Sequence, residues 1–267
     1  MLGPLRCNLM RLWEGATLIF FVFLAIAAAA SWPRPVRVYE LFAGVTAGLL
    51  LVCLVAAVPY QPIVHDWVAP PIALLLAYWT SGLLFVRPRE RQERVLMGFD
   101  RRLGILASAR RMPWWLRTSL ELAYVGVYPL IPIALALHLL FAPDADPDRF
   151  WSVVLITDYV CFAVLAWVQT RPPRALEREE PWSGAVRDFN LRMLGAASIQ
   201  VNTFPSGHAA EGLAAALLVI GAPWPAVLWV FAAALAVSAG AVYGRYHYAA
   251  DALAGWLVAV VVWAALS

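Results

Sequence analysis

The 267-residue chain is 63% hydrophobic and 14% charged, with a mean hydropathy of +0.72, well outside the soluble globular range, where apolar residues make up about half. Its formal net charge of +3 comes from 20 basic residues, all arginine, set against 17 acidic ones. This composition excludes an ordinary soluble domain. It also excludes a nucleic-acid-binding surface, because the arginines fall between apolar runs rather than along one soluble basic face.

The apolar runs have the length of membrane-crossing helices, about 20 residues, and no β alternation competes with them. The expected fold is therefore an all-α, polytopic membrane helical bundle of about eight transmembrane helices. The predicted spans cover roughly 13–32, 39–58, 68–86, 117–141, 151–169, 207–222, 224–243 and 249–266. The first has arginines before it and Ala27–Ala30 after it, like a secretory signal, but Ser31-Trp32-Pro33 leads into a second apolar run, so it reads as a retained helix. Pro70 and Pro71 open the third span, and Pro129 and Pro132 lie inside the fourth, where they predict kinks rather than breaks.

Between the third and fourth spans, residues 87–117 carry nine arginines against Glu90, Glu93 and Asp100. Val95, Leu96, Phe99, Leu103 and Leu106 recur there at helical spacing, which predicts an interfacial amphipathic segment near 88–112. A solvated loop helix that merely follows the charge rule for topology is the plainer reading. Asp144-Ala145-Asp146-Pro147-Asp148 lacks the glycine and closing glutamate of a calcium loop and reads as a solvated turn. Cys7, Cys53 and Cys161 are too scattered for a disulfide framework or a metal-ligand spacing.

A second polar loop, 170–204, begins Thr170-Arg171-Pro172-Pro173-Arg174 and ends at Pro205-Ser206-Gly207-His208, where a loop turns into the sixth span. A helix start presents unpaired N–H groups and a positive dipole end, which favours a phosphate or carboxylate. Gly207 permits close approach and Ser206 adds a hydroxyl. Alone, this stretch reads equally well as a capped helix start with an interfacial histidine.

The answering stretch, Arg245-Tyr246-His247-Tyr248-Ala249-Ala250-Asp251, lies between the seventh and eighth spans. If the eighth helix begins near Tyr248, His247 and Asp251 share one helical face. The carboxylate then holds Nδ1–H and leaves Nε2 as a nucleophile. Counting spans puts the loops that carry Arg174, His208 and His247 on one side of the bundle. That side holds 17 arginines and the other three, Arg6, Arg11 and Arg149, so the positive-inside rule makes it cytoplasmic. Glu211, one turn below His208, is read as a partner to an active-site arginine or histidine. Asp158, Glu121 and His138 are read as structural polar contacts.

Taken together, the two histidine stretches and the Arg-Pro-Pro-Arg loop resemble the type 2 phosphatidic acid phosphatase superfamily. Pro205–His208 matches that family's second motif in full, and His247-x3-Asp251 matches the end of its third. The first-motif lysine would fall on Val164, and the Ser-Arg pair of the third motif on Gly240 and Ala241. Arg-Tyr-His-Tyr-x-x-Asp is more similar to the branch that contains fungal inositol phosphorylceramide synthase. The resemblance implies two accessory helices over 1–60 and a six-helix catalytic core over 61–267.

It further implies a membrane lipid phosphate or lipid pyrophosphate as substrate and no cofactor or metal. His247 would be the nucleophile, Asp251 its orienting group and His208 the acid and base. Arg174, Arg245, Arg171, Ser206 and Gly207 would form the phosphate cradle. Transfer to an alcohol, such as an inositol or a glycosyl lipid, is the alternative reaction. A non-catalytic transporter or scaffold is the alternative of another class, disfavoured because the histidines lie at span ends rather than at the midplane. Family habit puts the active site on the extracytoplasmic face of a multi-pass cell membrane protein, opposite to the arginine count.

Overall fold

The computed structural model describes residues 10–31, 37–143 and 145–267. Readings that touch Arg6, Cys7, Trp32, Pro33, Arg34 and Asp144 lie outside these residues. Among the described residues the protein is all-helical and has no strand. In chain order the helices are α1 (Leu12–Ala30), α2 (Val38–Ala57), a π-helical turn (Ile63–Val68) that runs into α3 (Ala69–Gly82), α4 (Glu90–Arg102) and α5 (Ile105–Arg111). There follow α6 (Trp114–Val125), α7 (Val127–Phe141), α8 (Pro147–Ala163), α9 (Ala185–Ala197), α10 (Gly207–Leu218), α11 (Trp224–Tyr243) and α12 (Ala249–Ala265).

By length and composition α1, α2, α8 with its short extension to Ala166, and α11 can each cross a membrane. The pair α6–α7, bent by 63°, makes a fifth candidate. Among the described residues four or five helices therefore reach full spanning length, and α12 is a shorter apolar helix, consistent with a polytopic helical bundle. The expected sixth span ends early, because α10 has 12 residues and reaches roughly 18 Å at 1.5 Å per residue. Its role is central instead: α10 packs against α7, α8, α11 and α12, and its alanines Ala209, Ala210, Ala214, Ala215 and Ala216 are fully buried. Small side chains let the surrounding helices approach closely, as membrane bundles require.

The bend between α6 and α7 falls at Gly126, not at either proline. Pro129 explains it. A proline has no N–H for the carbonyl four residues back, and its ring crowds that carbonyl, which here belongs to Val125, at the break. The chain resumes with Leu130 N–H donating to the Gly126 carbonyl (3.1 Å).

One end of the bundle is tied by Asp148, which accepts from the N–H groups of Leu12 and Trp13, by the Arg11–Asp66 pair (2.8 Å), and by Arg149 donating to the Leu266 carbonyl (3.0 Å). Asp148 therefore caps α1, and Asp146 caps its own helix α8. The opposite end carries α4, α5, α9 and the two histidine loops. The expected amphipathic helix is split there, since Gly104 takes φ +64 between α4 and α5. Its apolar stripe divides in two: Leu96 and Met97 cluster with Tyr248, whereas Val95 and Leu103 stay exposed.

Where the sequence predicts a loop over 170–204, the structure forms helix α9. Its mixed composition hides the periodicity, and packing against α6 forms it. A buried polar cluster secures this packing: Glu121 of α6 accepts hydrogen bonds from Trp182, Arg187, Asn190 and Tyr246. Glu121 is thus a structural contact, and its last partner lies in the second histidine loop.

Candidate active site

The start of α10 is locked in place by backbone contacts. Ser206 is its N-cap, with Oγ accepting from Ala209 N–H (3.4 Å), and Ser206 N–H donates to the Asp251 carbonyl (3.0 Å) at the start of α12. Asn202 N–H donates to the Thr170 carbonyl (2.9 Å), pinning this loop to the Arg-Pro-Pro-Arg loop. The contact of α10 with α12 depends on Gly255, because a Cβ there would lie 2.6 Å from the Ser206 carbonyl oxygen. Gly255→Ala is expected to destabilise the protein by about 1–3 kcal/mol through overpacking. Thermal unfolding in detergent measures this, and an unchanged midpoint would contradict the packing described.

The second histidine loop folds back on α11. Tyr246 and His247 N–H both donate to the Ala241 carbonyl (2.9 Å each), and Arg245 sits at φ +63, a left-handed conformation uncommon for a residue with a Cβ. Its side chain explains the position. Arg245 is fully buried and grips Glu177 through Nε and Nη2 (2.8 Å each) and Asp100 through Nη1 (2.6 Å). Its guanidinium is saturated by carboxylates and does not line the cavity that holds the histidines. It braces the loop and does not join the expected phosphate cradle.

Arg171 is likewise diverted. It pairs with Glu93 in a two-pronged contact (2.9 and 2.8 Å), which holds the Glu93 carboxyl below the usual carboxylate range. The Ser206 hydroxyl, spent on capping, is also absent from the cavity wall. Arg174 alone of the three arginines lines that wall. Its guanidinium lies 5.6 Å from the Tyr246 ring centre and makes one long hydrogen bond, to the Tyr246 carbonyl (3.5 Å). No carboxylate pairs with it among the described residues.

His208 and His247 meet across this cavity with ring centres 6.0 Å apart. His208 stacks on Tyr124 (5.1 Å, 10°), which stacks on Tyr246 (4.1 Å, 11°), so the two histidine stretches clamp one aromatic column. His208 Nε2 is buried, with no hydrogen-bond partner among the described residues. His247 lies in the loop between α11 and α12, one residue before the cap of α12. Its Nδ1 is 3.5 Å from Asp251 Oδ2, without a formed hydrogen bond. The shared helical face is thereby corrected: Asp251 Oδ2 accepts from Tyr248 N–H (2.9 Å) and caps the helix, with the imidazole at contact distance. Burial, and after it the charge of Arg174, push His247 down to about 3, so its imidazole is neutral at pH 7, as a nucleophile must be.

The cavity, about 490 Å³, is lined by Arg174, Tyr246, His208 and His247, by the carboxyl groups of Asp158 and Glu211, and otherwise mostly by apolar side chains. Its walls follow α3 from Trp67 and Pro71 through Leu74, Leu75, Tyr78 and Trp79, facing Ile131 and Pro132 of α7. Trp67 to Trp79 covers roughly 18 Å along a helix. Trp67, Leu75, Trp79 and Tyr128 are partly exposed on the outer surface of the bundle, so the cavity opens sideways between α3 and α7.

Gly207 lies on the wall, and a Cβ there would meet Asp158 Oδ1 at 2.9 Å. The start of α10 thus faces a carboxyl group of α8, where the sequence suggested a phosphate. Glu211 lines the same cavity as Asp158, and among the described residues no arginine pairs with it. Asp158, read from sequence as a structural contact, lines this cavity. The available signal was its charge in the middle of an apolar run.

Among the described residues no group of three or more His, Cys, Asp or Glu is arranged to hold a metal ion. A family model described as PAP2 superfamily matches residues 93–265, from α4 through α12 and including both histidine stretches. No curated protein and no solved structure matches the chain.

Proposed function

We propose that this chain, which belongs to the PAP2 superfamily and is a membrane phosphatase-type phosphoesterase, acts on a lipid phosphate or lipid pyrophosphate through a phosphohistidine on His247. One observation carries the reading: His208, His247 and Arg174 line one cavity whose remaining walls are mostly apolar and which opens sideways. A lipid tail would occupy the groove between α3 and α7 while its phosphate meets the histidines.

In this mechanism His247 Nε2 attacks phosphorus and Asp251, 3.5 Å from Nδ1, stabilises the charge that grows on the imidazole. His208 gives its proton to the departing oxygen and then takes one from the incoming water. Arg174 neutralises the oxygens of the transferring phosphoryl group, where most of the stabilisation in such reactions arises. The first two helices, over 1–60, would be an accessory layer on this core, with α1 and α2 packed on α3 and α8. The arginines of 87–117 favour a cytoplasmic active-site face.

The purified protein in detergent is expected to release phosphate from at least one of phosphatidic acid, a lipid pyrophosphate and a prenyl phosphate. Absence of phosphate release from all three would overturn the reading.

A further inference from the structure

The end of the bundle that carries the histidine loops also carries a charge imbalance that phosphoryl transfer does not use. Residues 87–117 contain nine arginines, eight of them exposed. Of the three carboxylates in this stretch only Glu90 is exposed, 3.5 Å from Arg94; Glu93 and Asp100 are buried. Helix α4 is therefore two-faced. Its outer face presents Arg91, Arg94, Arg101 and Arg102 around the exposed side chain of Val95, with exposed Leu103 just beyond. Among the described residues no carboxylate pairs with Arg91, Arg101 or Arg102. Its inner face grips the site. Glu93 accepts from the N–H and the guanidinium of Arg171, and Asp100 accepts from Arg245 Nη1 (2.6 Å) and from Ala249 N–H (2.9 Å). Arg245 and Ala249 flank His247, so one helix holds the Arg-Pro-Pro-Arg loop and both sides of the histidine.

Exposed arginines alone describe a solvated surface. Here the flanking residues set the depth: Trp79 is exposed near the end of α3, and Trp114 and Trp115, 77% and 56% exposed, open α6. Tryptophan is enriched at the headgroup level of a bilayer, so both ends of the segment α4–α5 are held there. An amphipathic helix with arginines on its polar side lies along such a boundary and is drawn to anionic lipids. We propose that the outer face of α4 and α5 docks on anionic lipid headgroups, and that this contact steadies the loop carrying His247. The partner is a lipid surface rather than one soluble anion, because Arg91 to Arg102 spread over roughly 16 Å of helix with apolar side chains among them. Each arginine at such a surface strengthens the contact about fivefold. The inference goes beyond the phosphohistidine reading and does not depend on it.

The test reconstitutes the protein in phosphatidylcholine vesicles with a trace of spin-labelled phosphatidylglycerol or spin-labelled phosphatidylcholine, and reads the fraction of label held at the protein. At low salt the parent is expected to prefer the phosphatidylglycerol label about fivefold or more. The preference should fall toward parity near 1 M salt, where the Debye length is about 3 Å. Arg91→Gln/Arg94→Gln/Arg101→Gln/Arg102→Gln is expected to lose most of it, and Arg91→Lys/Arg94→Lys/Arg101→Lys/Arg102→Lys to keep it. Arg37→Gln/Arg192→Gln, which removes two exposed arginines outside α4 and α5, should change it less than about twofold. Added phosphatidylglycerol is expected to slow amide exchange in a peptide spanning Arg245–Asp251 about threefold or more in the parent, and not in the glutamine variant. A parent without the preference, a preference that survives high salt, or a folded glutamine variant that keeps it would each overturn the docking surface. Equal loss in the Arg37/Arg192 variant would overturn its assignment to α4. Exchange unmoved by phosphatidylglycerol in the parent would overturn the link to the His247 loop. The salt dependence of the parent decides the first question even where the glutamine variant does not fold.

Discussion

Replacing His247 with alanine is expected to reduce turnover of a lipid phosphate on the order of 10⁴-fold or more, because it removes the proposed nucleophile. The loss should fall on kcat, since the cavity and Arg174 still bind the substrate. Stability should change little: among the described residues no partner hydrogen-bonds His247 Nδ1, and the loop is held by backbone bonds to Ala241 and by Arg245. His208→Ala should be less severe, about 10²–10⁴-fold, because it removes proton transfer and leaves the nucleophile. Its ring also supports the Tyr124–Tyr246 column, so part of that loss is geometric. Phosphate release at saturating substrate checks both variants, and parent-like activity of His247→Ala would reject the assigned nucleophile.

The second large effect separates three arginines that look equivalent in sequence. Arg174→Gln is expected to lower kcat/KM by about 10²–10³-fold, because Arg174 is the cation on the cavity wall. Its removal breaks no ion pair, so thermal stability should stay within about 1 kcal/mol of the parent. Arg245→Gln should behave in the opposite way. It leaves Asp100 and Glu177 buried against a neutral partner, which costs about 3–5 kcal/mol, and any loss of activity follows loss of fold. Arg171→Gln should do little to either property, since its pair with Glu93 is partly exposed and such pairs contribute about 1 kcal/mol or less. Unfolding midpoints measured beside kcat/KM distinguish the three. An Arg245 variant that is stable but inactive would return that residue to the phosphate cradle.

These contrasts show where sequence is informative. Pro205–His208 and His247-x3-Asp251 announced the site because chemistry restricts residue types at close spacing. Their convergence followed from the order of apolar runs alone. Partner choice was not legible, because Glu93, Asp100 and Glu177 reach Arg171 and Arg245 from 68 to 145 positions away along the chain. No local pattern says which of several arginines a carboxylate will neutralise. The length of the sixth span was not legible for a related reason: hydropathy identifies a buried helix but not its length, and the 12-residue α10 is apolar because helices surround it. Helix α9 escaped notice because its stability comes from Glu121 and its partners rather than from an apolar stripe.

The account rests on a covalent bond between phosphorus and His247, and trapping that bond tests it most directly. Protein incubated with lipid phosphate labelled at phosphorus, quenched in alkali and digested, should yield a labelled peptide that contains His247. The label should be lost in acid, as for a phosphoramidate, and absent from His247→Ala. Label on His208 instead, or turnover by the parent with no acid-labile label under rapid quench, would contradict the account.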